Sequence, residues 1–172
     1  MFATRSRYLL NVSRRTVTPQ ARLYATDTAG RLTVTLKNTK FTATARAAGS
    51  GRNGEVHSAD ETPLTLTLAR PTALGGPGGG TNPEQLFAMG YASCFLGALQ
   101  LMAGRLGKSD AVKDAVIHTS VHLGEAEIGG FGIAVDIKVE GVEDEEVIKA
   151  GHEACPYSRA LVHGIKVNIS KA

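Results

Sequence analysis

Apolar residues alternate with hydroxyl or charged residues along several short stretches of the chain, which is the pattern of half-buried strands. These stretches lie at 31–37, 40–46, 55–58, 64–68, 116–123, 131–139 and 165–169. The first four predict a meander of short antiparallel strands. The segment 49–54 has the glycine-rich composition of a tight turn, so it places Arg52 at or beside a hairpin tip.

A helical pattern separates the two sets of strands. Asn82 is predicted as the N-cap, followed by Pro83 in the first turn and by Gln85, which completes a capping box. This helix should run to about Gly104. A second helix, begun by acidic residues, is predicted at 142–154.

The first predicted helix contains nineteen consecutive uncharged residues, from Leu86 to Gly104, which meets the length rule for a membrane span. Its composition favours another interpretation, because many of its residues are small: Ala88, Gly90, Ala92, Ser93, Gly97, Ala98, Ala103 and Gly104. Amphipathic strands surround it in the sequence, so we expect a helix buried between sheets and no membrane insertion. Its thin faces would let another backbone approach closely, including that of a second copy of the chain.

The N-terminal segment differs from the rest of the chain in charge. Residues 1–30 contain five arginines and one acid, whereas the other 142 residues carry 14 basic and 15 acidic side chains with no basic stripe, so nucleic acid is not an expected partner. An arginine-rich, hydroxyl-rich and acid-poor N-terminus is typical of a mitochondrial transit peptide, and RLYA at 22–25 looks like a processing site cleaved after Tyr24. We therefore predict a leader and flexible lead-in at 1–30, a folded domain at 31–172 and a location in the mitochondrial matrix. A disordered basic arm is the alternative.

Cys94 lies inside the uncharged helix, where burial raises the pKa of a thiol and leaves it inert unless a cation offsets the cost. It is about eleven residues into the helix, beyond the reach of that helix's own N-terminal field. A reactive Cys94 therefore requires a positive neighbour, and Arg52 is the best candidate because a guanidinium stays charged when buried. The alternative is a small buried side chain with no reactivity.

The second cysteine, Cys155, follows the second predicted helix and precedes a proline, where a helix ends and a side chain can turn toward a pocket. In a reducing compartment, a disulfide that forms and breaks during turnover explains two cysteines better than a permanent bridge. Metal binding is the competing use. His152, Cys155 and Cys94 supply three ligands, but a structural zinc site needs four, so no metal is expected. A phosphate site at 74–80 is also disfavoured, because the glycines lack the P-loop ending and the Rossmann spacing.

Two motifs carry a family resemblance. The segments TNPEQLFAMGYASCF at 81–95 and HEACPYS at 152–158 resemble those of the organic hydroperoxide resistance (Ohr) branch of the Ohr/OsmC family. Residues 51–54 and 58–60 also match the family's N-terminal strands, so the likeness spans roughly residues 33–170. The segment 158–164 departs from the continuation usual in the family.

The resemblance implies an α+β fold in which antiparallel sheets wrap buried central helices of an intertwined homodimer, with active sites at the subunit interface. It implies a peroxidase that reduces alkyl and fatty-acid hydroperoxides, draws electrons from dihydrolipoamide or a lipoylated protein, and uses no metal, haem or flavin cofactor. By motif position Cys94 corresponds to the peroxidatic cysteine and Cys155 to the resolving one. Arg52 and Glu84 correspond to the pair that sets up the thiolate. Phe87 and Phe95 are expected to form walls of a pocket for the alkyl group.

Helix geometry adds a condition to this assignment. Glu84 and Cys94 are ten residues apart on one helix, about 15 Å along its axis, so they cannot touch within a chain. If Glu84 orients an arginine that contacts Cys94, at least one of these groups must come from a second subunit. Two other functions stay open, namely a non-enzymatic thiol redox sensor or binding protein on the same scaffold, and a cysteine hydrolase, for which no histidine partner stands out.

Overall fold

The structure, a computed structural model, describes residues 24–26 and 32–171. The predicted leader at 1–30 lies outside the described residues apart from 24–26. The strands are β1 (Tyr24–Thr26), β2 (Leu32–Val34), β3 (Ala45–Ala48), β4 (Glu55–Ser58), β5 (Thr65–Thr67), β6 (Val116–Glu125) and β7 (Phe131–Glu140). The helices are α1 (Pro83–Arg105), α2 (Glu145–Ala154) and α3 (Pro156–His163).

The strands pair antiparallel in three sheets, β1 with β2, β3 with β4 and β5, and β6 with β7. The β6–β7 hairpin is the longest ladder, and alternate residues of β6 and of the second half of β7 turn inward, as expected for a sheet with one covered face. The hairpin packs against the core cluster, to which α1 contributes most residues, through Ile117, Val135, Ile137 and Val139. A single 3₁₀ turn at Gly51–Asn53 joins β3 to β4, so Arg52 lies at a hairpin tip as predicted.

Strand boundaries are where the sequence-based expectations were least accurate. The strand expected at 40–46 begins only at Ala45, and the one expected at 165–169 is reduced to one bridge between Val34 and Ile165. Alternating apolar residues form a strand only where a neighbouring strand accepts their hydrogen bonds. Ile169 is 93% exposed, so its alternating segment finds no such neighbour among the described residues.

Helix α1 begins as predicted, with the side chain of Asn82 accepting a hydrogen bond from the backbone N–H of Gln85 at 2.8 Å. One face of the helix is buried against α2 and β6 by Tyr91, Phe95, Ala98, Leu99 and Ala103. The opposite face is open: Met89, Ser93, Gly97 and Leu101, spaced four residues apart, are all exposed. The expectation of a helix enclosed between sheets therefore holds for one face only, because β6 and α2 cover only that side.

Helix α1 is long and apolar enough to cross a membrane, but the core helices of soluble proteins meet the same criteria of length and composition. Its packing against α2 and β6 favours the core interpretation. Gly151 of α2 makes this packing close, since a Cβ atom there would lie only 3.0 Å from the Cα atom of Leu99. The helices thus touch where a residue with no side chain lets the backbones approach.

Helices α2 and α3 are separated by one residue. Asp144 caps α2 by accepting hydrogen bonds from the backbone N–H groups of Glu146 and Val147, so the helix starts three residues later than predicted. It ends before Pro156, which occupies the first turn of α3. The residue between them, Cys155, has the extended backbone that a following proline imposes. Helix α3 was not predicted from the sequence.

Candidate active site

The two cysteines lie side by side. Cys94 comes from the middle of α1 and Cys155 from the junction of α2 and α3, and their Sγ atoms are 3.7 Å apart. Cys155 is fully buried, whereas Cys94 is half-buried at the border between the covered and open faces of α1. A disulfide bond is about 2.05 Å long, so a small approach of the two sulfurs would join them.

The pKa of the Cys94 thiol is raised above its ordinary value. Burial is the main cause and the neighbouring Cys155 adds to it, while a hydrogen bond from the backbone N–H of Tyr157 acts in the opposite direction. Tyr157 is the second residue of α3, so this N–H is one of the free donors of a first helical turn. The N-terminus of a second helix therefore supports negative charge on Cys94, which the N-terminus of α1 is too distant to do.

Arg52 and Glu84 form the charged part of the candidate site. The guanidinium of Arg52, on the β3–β4 turn, donates a hydrogen bond to the carboxylate of Glu84 in the first turn of α1. Burial acts to raise the pKa of Glu84, but the hydrogen bond and charge of Arg52, with a backbone N–H, outweigh it and leave the pKa below its ordinary value. Glu84 is therefore held as a carboxylate with its partner in place.

The Arg52–Glu84 pair and the Cys94–Cys155 pair lie apart within the chain. Arg52 is bonded to Glu84 in the first turn of α1, and Cys94 lies ten residues further along the same helix, about 15 Å away along its axis. The pKa of Cys94 is set by its burial, by the backbone N–H of Tyr157 and by Cys155, and Arg52 does not contribute. Within a single chain, the cation expected beside Cys94 is therefore at the other end of the helix.

Three aromatic rings pack between the ends of the site. Phe87, Tyr91 and Tyr157 have ring centroids 5.7 to 5.9 Å apart, with Phe87 stacked on Tyr157. Phe95 lies elsewhere, 2% exposed in the core and 6.5 Å from the ring of His152. Phe87 thus belongs to the aromatic cluster near α3, whereas Phe95 supports the core behind Cys94. Their roles as substrate walls stay predictions.

Sequence reasoning missed a second contact between the two cysteine motifs. The hydroxyl of Tyr91 donates a hydrogen bond to Oγ of Ser158 at 2.8 Å, and both residues are buried. Tyr91 precedes Cys94 by three residues and Ser158 follows Cys155 by three. This symmetrical spacing is visible in the sequence, but it has meaning only if the second motif is helical, and α3 was not predicted.

The possible metal ligands do not assemble. Among residues 32–171, no group of three or more histidine, cysteine, aspartate and glutamate side chains is arranged to hold a metal ion. His152, which shares the i, i+3 spacing with Cys155, turns its ring toward Phe95.

Comparison with known proteins bears on this arrangement. A sequence model of the family described as OsmC-like protein matches residues 76–170, which is more than half of the chain and contains both cysteines. The chain belongs to the Ohr/OsmC family. It is 41% identical over 138 residues to the organic hydroperoxide resistance protein of Xanthomonas axonopodis pv. citri, covering 77% of this chain and 94% of that protein.

Two further family members show the same likeness. OhrA of Bacillus subtilis, an organic hydroperoxide resistance protein, is 41% identical over 141 residues, covering 77% of this chain and 96% of that protein. The crystal structure of an organic hydroperoxide resistance protein from Legionella pneumophila superposes with a TM-score of 0.65 at 38% identity, covering 75% of this chain and 95% of that chain. The Ohr/OsmC assignment and the α+β fold that the sequence predicted are therefore confirmed.

Proposed function

We propose that this Ohr/OsmC protein is a thiol peroxidase that reduces organic hydroperoxides, with Cys94 as the peroxidatic and Cys155 as the resolving cysteine. The observation that carries the proposal is the 3.7 Å separation of the two Sγ atoms, which come from distant parts of the chain. The names of the relatives support the substrate class, since the proteins of Xanthomonas and Bacillus are both called organic hydroperoxide resistance proteins.

The reaction follows from thiol chemistry. The thiolate of Cys94 attacks one peroxide oxygen, the O–O bond breaks, and the alkoxide takes a proton and leaves as the alcohol. Cys94 is thereby oxidised to a sulfenic acid. The thiol of Cys155 then attacks this sulfur, the hydroxyl leaves as water, and a Cys94–Cys155 disulfide remains. An external dithiol of the dihydrolipoyl type reduces the disulfide by exchange and returns both thiols.

A homodimer would bring the charged pair to the sulfur. The open face of α1, formed by Met89, Ser93, Gly97 and Leu101, contains small residues on which a second copy can pack closely. In such a dimer the Arg52–Glu84 pair of one subunit lies against Cys94 of the other. A guanidinium there lowers the pKa of Cys94 and adds to the hydrogen bond from Tyr157.

The N-terminal charge supports a location in the mitochondrial matrix. Residues 1–30 combine five arginines with one acid, and RLYA at 22–25 provides a processing site. Mass measurement of the protein isolated from mitochondria is expected to show a chain that begins after Tyr24. A full-length chain there would contradict the proposed leader without affecting the proposed chemistry.

Turnover of an alkyl hydroperoxide with dihydrolipoamide tests the peroxidase function. We expect steady-state consumption by the parent protein, none by Cys94→Ser, and a first reduction event per chain followed by slower turnover in Cys155→Ser, because its sulfenic acid can be reduced only by the external dithiol. A redox sensor would oxidise Cys94 without sustained turnover. A cysteine hydrolase would cleave esters equally well with Cys155→Ser, and either result would reject the peroxidase.

A further inference from the structure

We propose that the hydrogen bond between Tyr91 and Ser158 is a positioning contact that holds Cys155 within reach of Cys94, an inference that rests on the proposed function. The hydroxyl of Tyr91 lies 2.8 Å from Oγ of Ser158. Tyr91 is 3% exposed and Ser158 is 1% exposed, so water does not compete for this bond.

The bond duplicates the spacing of the cysteine pair. Residues three apart on a helix lie on the same face, so α1 presents Tyr91 together with Cys94. The start of α3 likewise presents Cys155 together with Ser158. Two non-covalent contacts therefore join α1 to the start of α3 about one helical turn apart. One is the hydrogen bond between the two hydroxyl oxygens at 2.8 Å, and the other is the approach of the two Sγ atoms to 3.7 Å. The hydrogen bond therefore adds a second polar contact to the sulfur pair and restrains the rotation of α3 on α1.

The hydroxyl of Tyr91 is itself held in place. Its ring packs against Phe87 at 5.9 Å and against Tyr157 at 5.7 Å, measured between ring centroids. The ring of Tyr157 in turn lies over Gly90, where an added Cβ atom would come within 3.2 Å of the Tyr157 hydroxyl oxygen. The first turn of α3 thus rests on a small residue of α1, and Tyr91 and Ser158 lock it there.

This contact acts on the resolving step. After peroxide attack, Cys94 carries a sulfenic acid, and condensation with Cys155 competes with a second oxidation to the sulfinic acid. Condensation forms the S–S bond and releases water, and its rate depends on how often the two sulfurs meet. The attack of peroxide on Cys94 needs neither Cys155 nor Ser158. The attack does use the backbone N–H of Tyr157, which lies in the same first turn of α3 as Ser158. Loss of the hydrogen bond should therefore slow disulfide formation more than the first oxidation, because only the resolving step requires the two sulfurs to meet.

The first test measures the disulfide equilibrium and needs no peroxide. The full-length protein is equilibrated in dithiothreitol redox buffers, and the Cys94–Cys155 disulfide is quantified by mass. We expect Ser158→Ala and Tyr91→Phe to lower the equilibrium constant for disulfide formation about threefold to tenfold, the value of one hydrogen bond. The reduction potential then becomes about 15 to 30 mV less negative. Tyr157→Phe, which removes a hydroxyl from the same aromatic cluster and keeps the bond, is the matched control.

The second test follows the peroxide reaction with a limiting alkyl hydroperoxide and a sulfenic acid trapping reagent. We expect the trapped fraction to rise in Ser158→Ala and Tyr91→Phe, because disulfide formation slows by a larger factor than the first oxidation. The double variant removes both hydroxyls of the pair and so leaves neither of them unpaired, which should let it fold even where a single variant is unstable. The factor by which the double variant lowers the equilibrium constant for disulfide formation should be smaller than the product of the factors of the two single variants.

Equal potentials in the parent and in Ser158→Ala, or a loss in Tyr157→Phe as large as that in Tyr91→Phe, would overturn the positioning role. Failure of the parent to react with any hydroperoxide would reject the proposed function, while the equilibrium test would still decide the role of the hydrogen bond.

Discussion

Glu84 is held as a carboxylate by Arg52, and its lowered pKa links the stability of the protein to pH. A group whose pKa falls on folding stabilises the protein above its unfolded-state value, here 4.5, and this contribution disappears as the pH drops through the lower folded-state value. Glu84→Gln is therefore expected to unfold more easily than the parent at pH 7, and the difference should shrink below pH 4.5.

Urea unfolding of the parent and of Glu84→Gln at pH 7 and at pH 3 measures this effect. Glu153→Gln is the control for the change of charge. Glu153 lies exposed on α2, so its substitution should leave the unfolding midpoint unchanged at both pH values. A gap between Glu84→Gln and the parent that persists unchanged at pH 3 would show that the ion pair is not its source.

At the scale of residues, the sequence predicted that Cys94 meets Cys155 and that Arg52 pairs with Glu84, and the structure contains both contacts. The catalytic roles of these four residues stay predictions. The sequence also predicted that burial raises the pKa of a thiol in this uncharged helix, as the structure shows for Cys94. It could not supply the N–H of Tyr157, because that donor depends on how α3 packs against α1. The hydrogen bond of Tyr91 with Ser158 was missed for the same reason. Contacts between distant segments depend on packing that no local pattern contains.

At the scale of elements, the start of α1 depends on Asn82. Its side chain accepts the N–H of Gln85 at 2.8 Å, one of the donors that the first turn leaves free. Asn82→Ala is expected to lower the free energy of unfolding by about 1 kcal/mol, and Asn82→Ser, which retains an acceptor, by much less. Chemical denaturation checks both variants, and equal losses would show that the cap does not stabilise the helix.

The crossing of α1 and α2 depends on Gly151. A Cβ atom there would lie 3.0 Å from Cα of Leu99 and 3.1 Å from its Cδ1, so the backbones would have to separate. Gly151→Ala is expected to cost about 1 to 3 kcal/mol by overpacking.

Gly104→Ala makes the same change in α1 at an exposed position where an added Cβ would be 3.8 Å from its nearest neighbour, Oγ of Ser109. It should instead stabilise the protein by up to about 1 kcal/mol through helix propensity. Thermal unfolding distinguishes the two variants. Similar effects for both would mean that helix propensity, not close packing, explains Gly151.

Helices with local start and stop signals were predicted well, and short strands less so. Asn82, Pro83 and Gln85 define the start of α1 within a few residues of sequence. The strand expected at 165–169 did not form because a strand needs a distant partner, and within the part of the chain that the structure describes only Ile165 has one. Helix α3 was missed because Pro156 was interpreted as the end of a helix, although a proline equally suits the first turn of the next one.

At the scale of the whole molecule, a second copy should change the reactivity of Cys94. In a single chain, burial raises the pKa of this thiol, so a smaller fraction of it is thiolate at pH 7 than for an exposed cysteine. Contact with Arg52 of a partner would lower the pKa. We therefore expect alkylation of Cys94 by iodoacetamide at pH 7 to be about tenfold slower or more in a monomeric variant than in the dimer.

Gly97→Leu is designed to produce that monomer. Gly97 lies on the open face of α1, where no described atom beyond its own stretch of helix lies within 4 Å of an added Cβ, so leucine there is directed at a second copy of the chain. Gly124→Leu adds the same side chain to β6 at another open position and is the matched control. Light scattering reports the oligomeric state. A monomer that alkylates and reduces peroxide as fast as the parent would exclude a shared active site.

The separation of the Arg52–Glu84 pair from Cys94 along α1 determines how the number of complete sites in the proposed dimer would depend on protein concentration. If each site is assembled from two subunits, the concentration of complete sites rises with the square of the chain concentration below the dissociation constant of the dimer. Doubling the amount of chain would there give up to about four times as many complete sites, whereas above the dissociation constant it would give about twice as many.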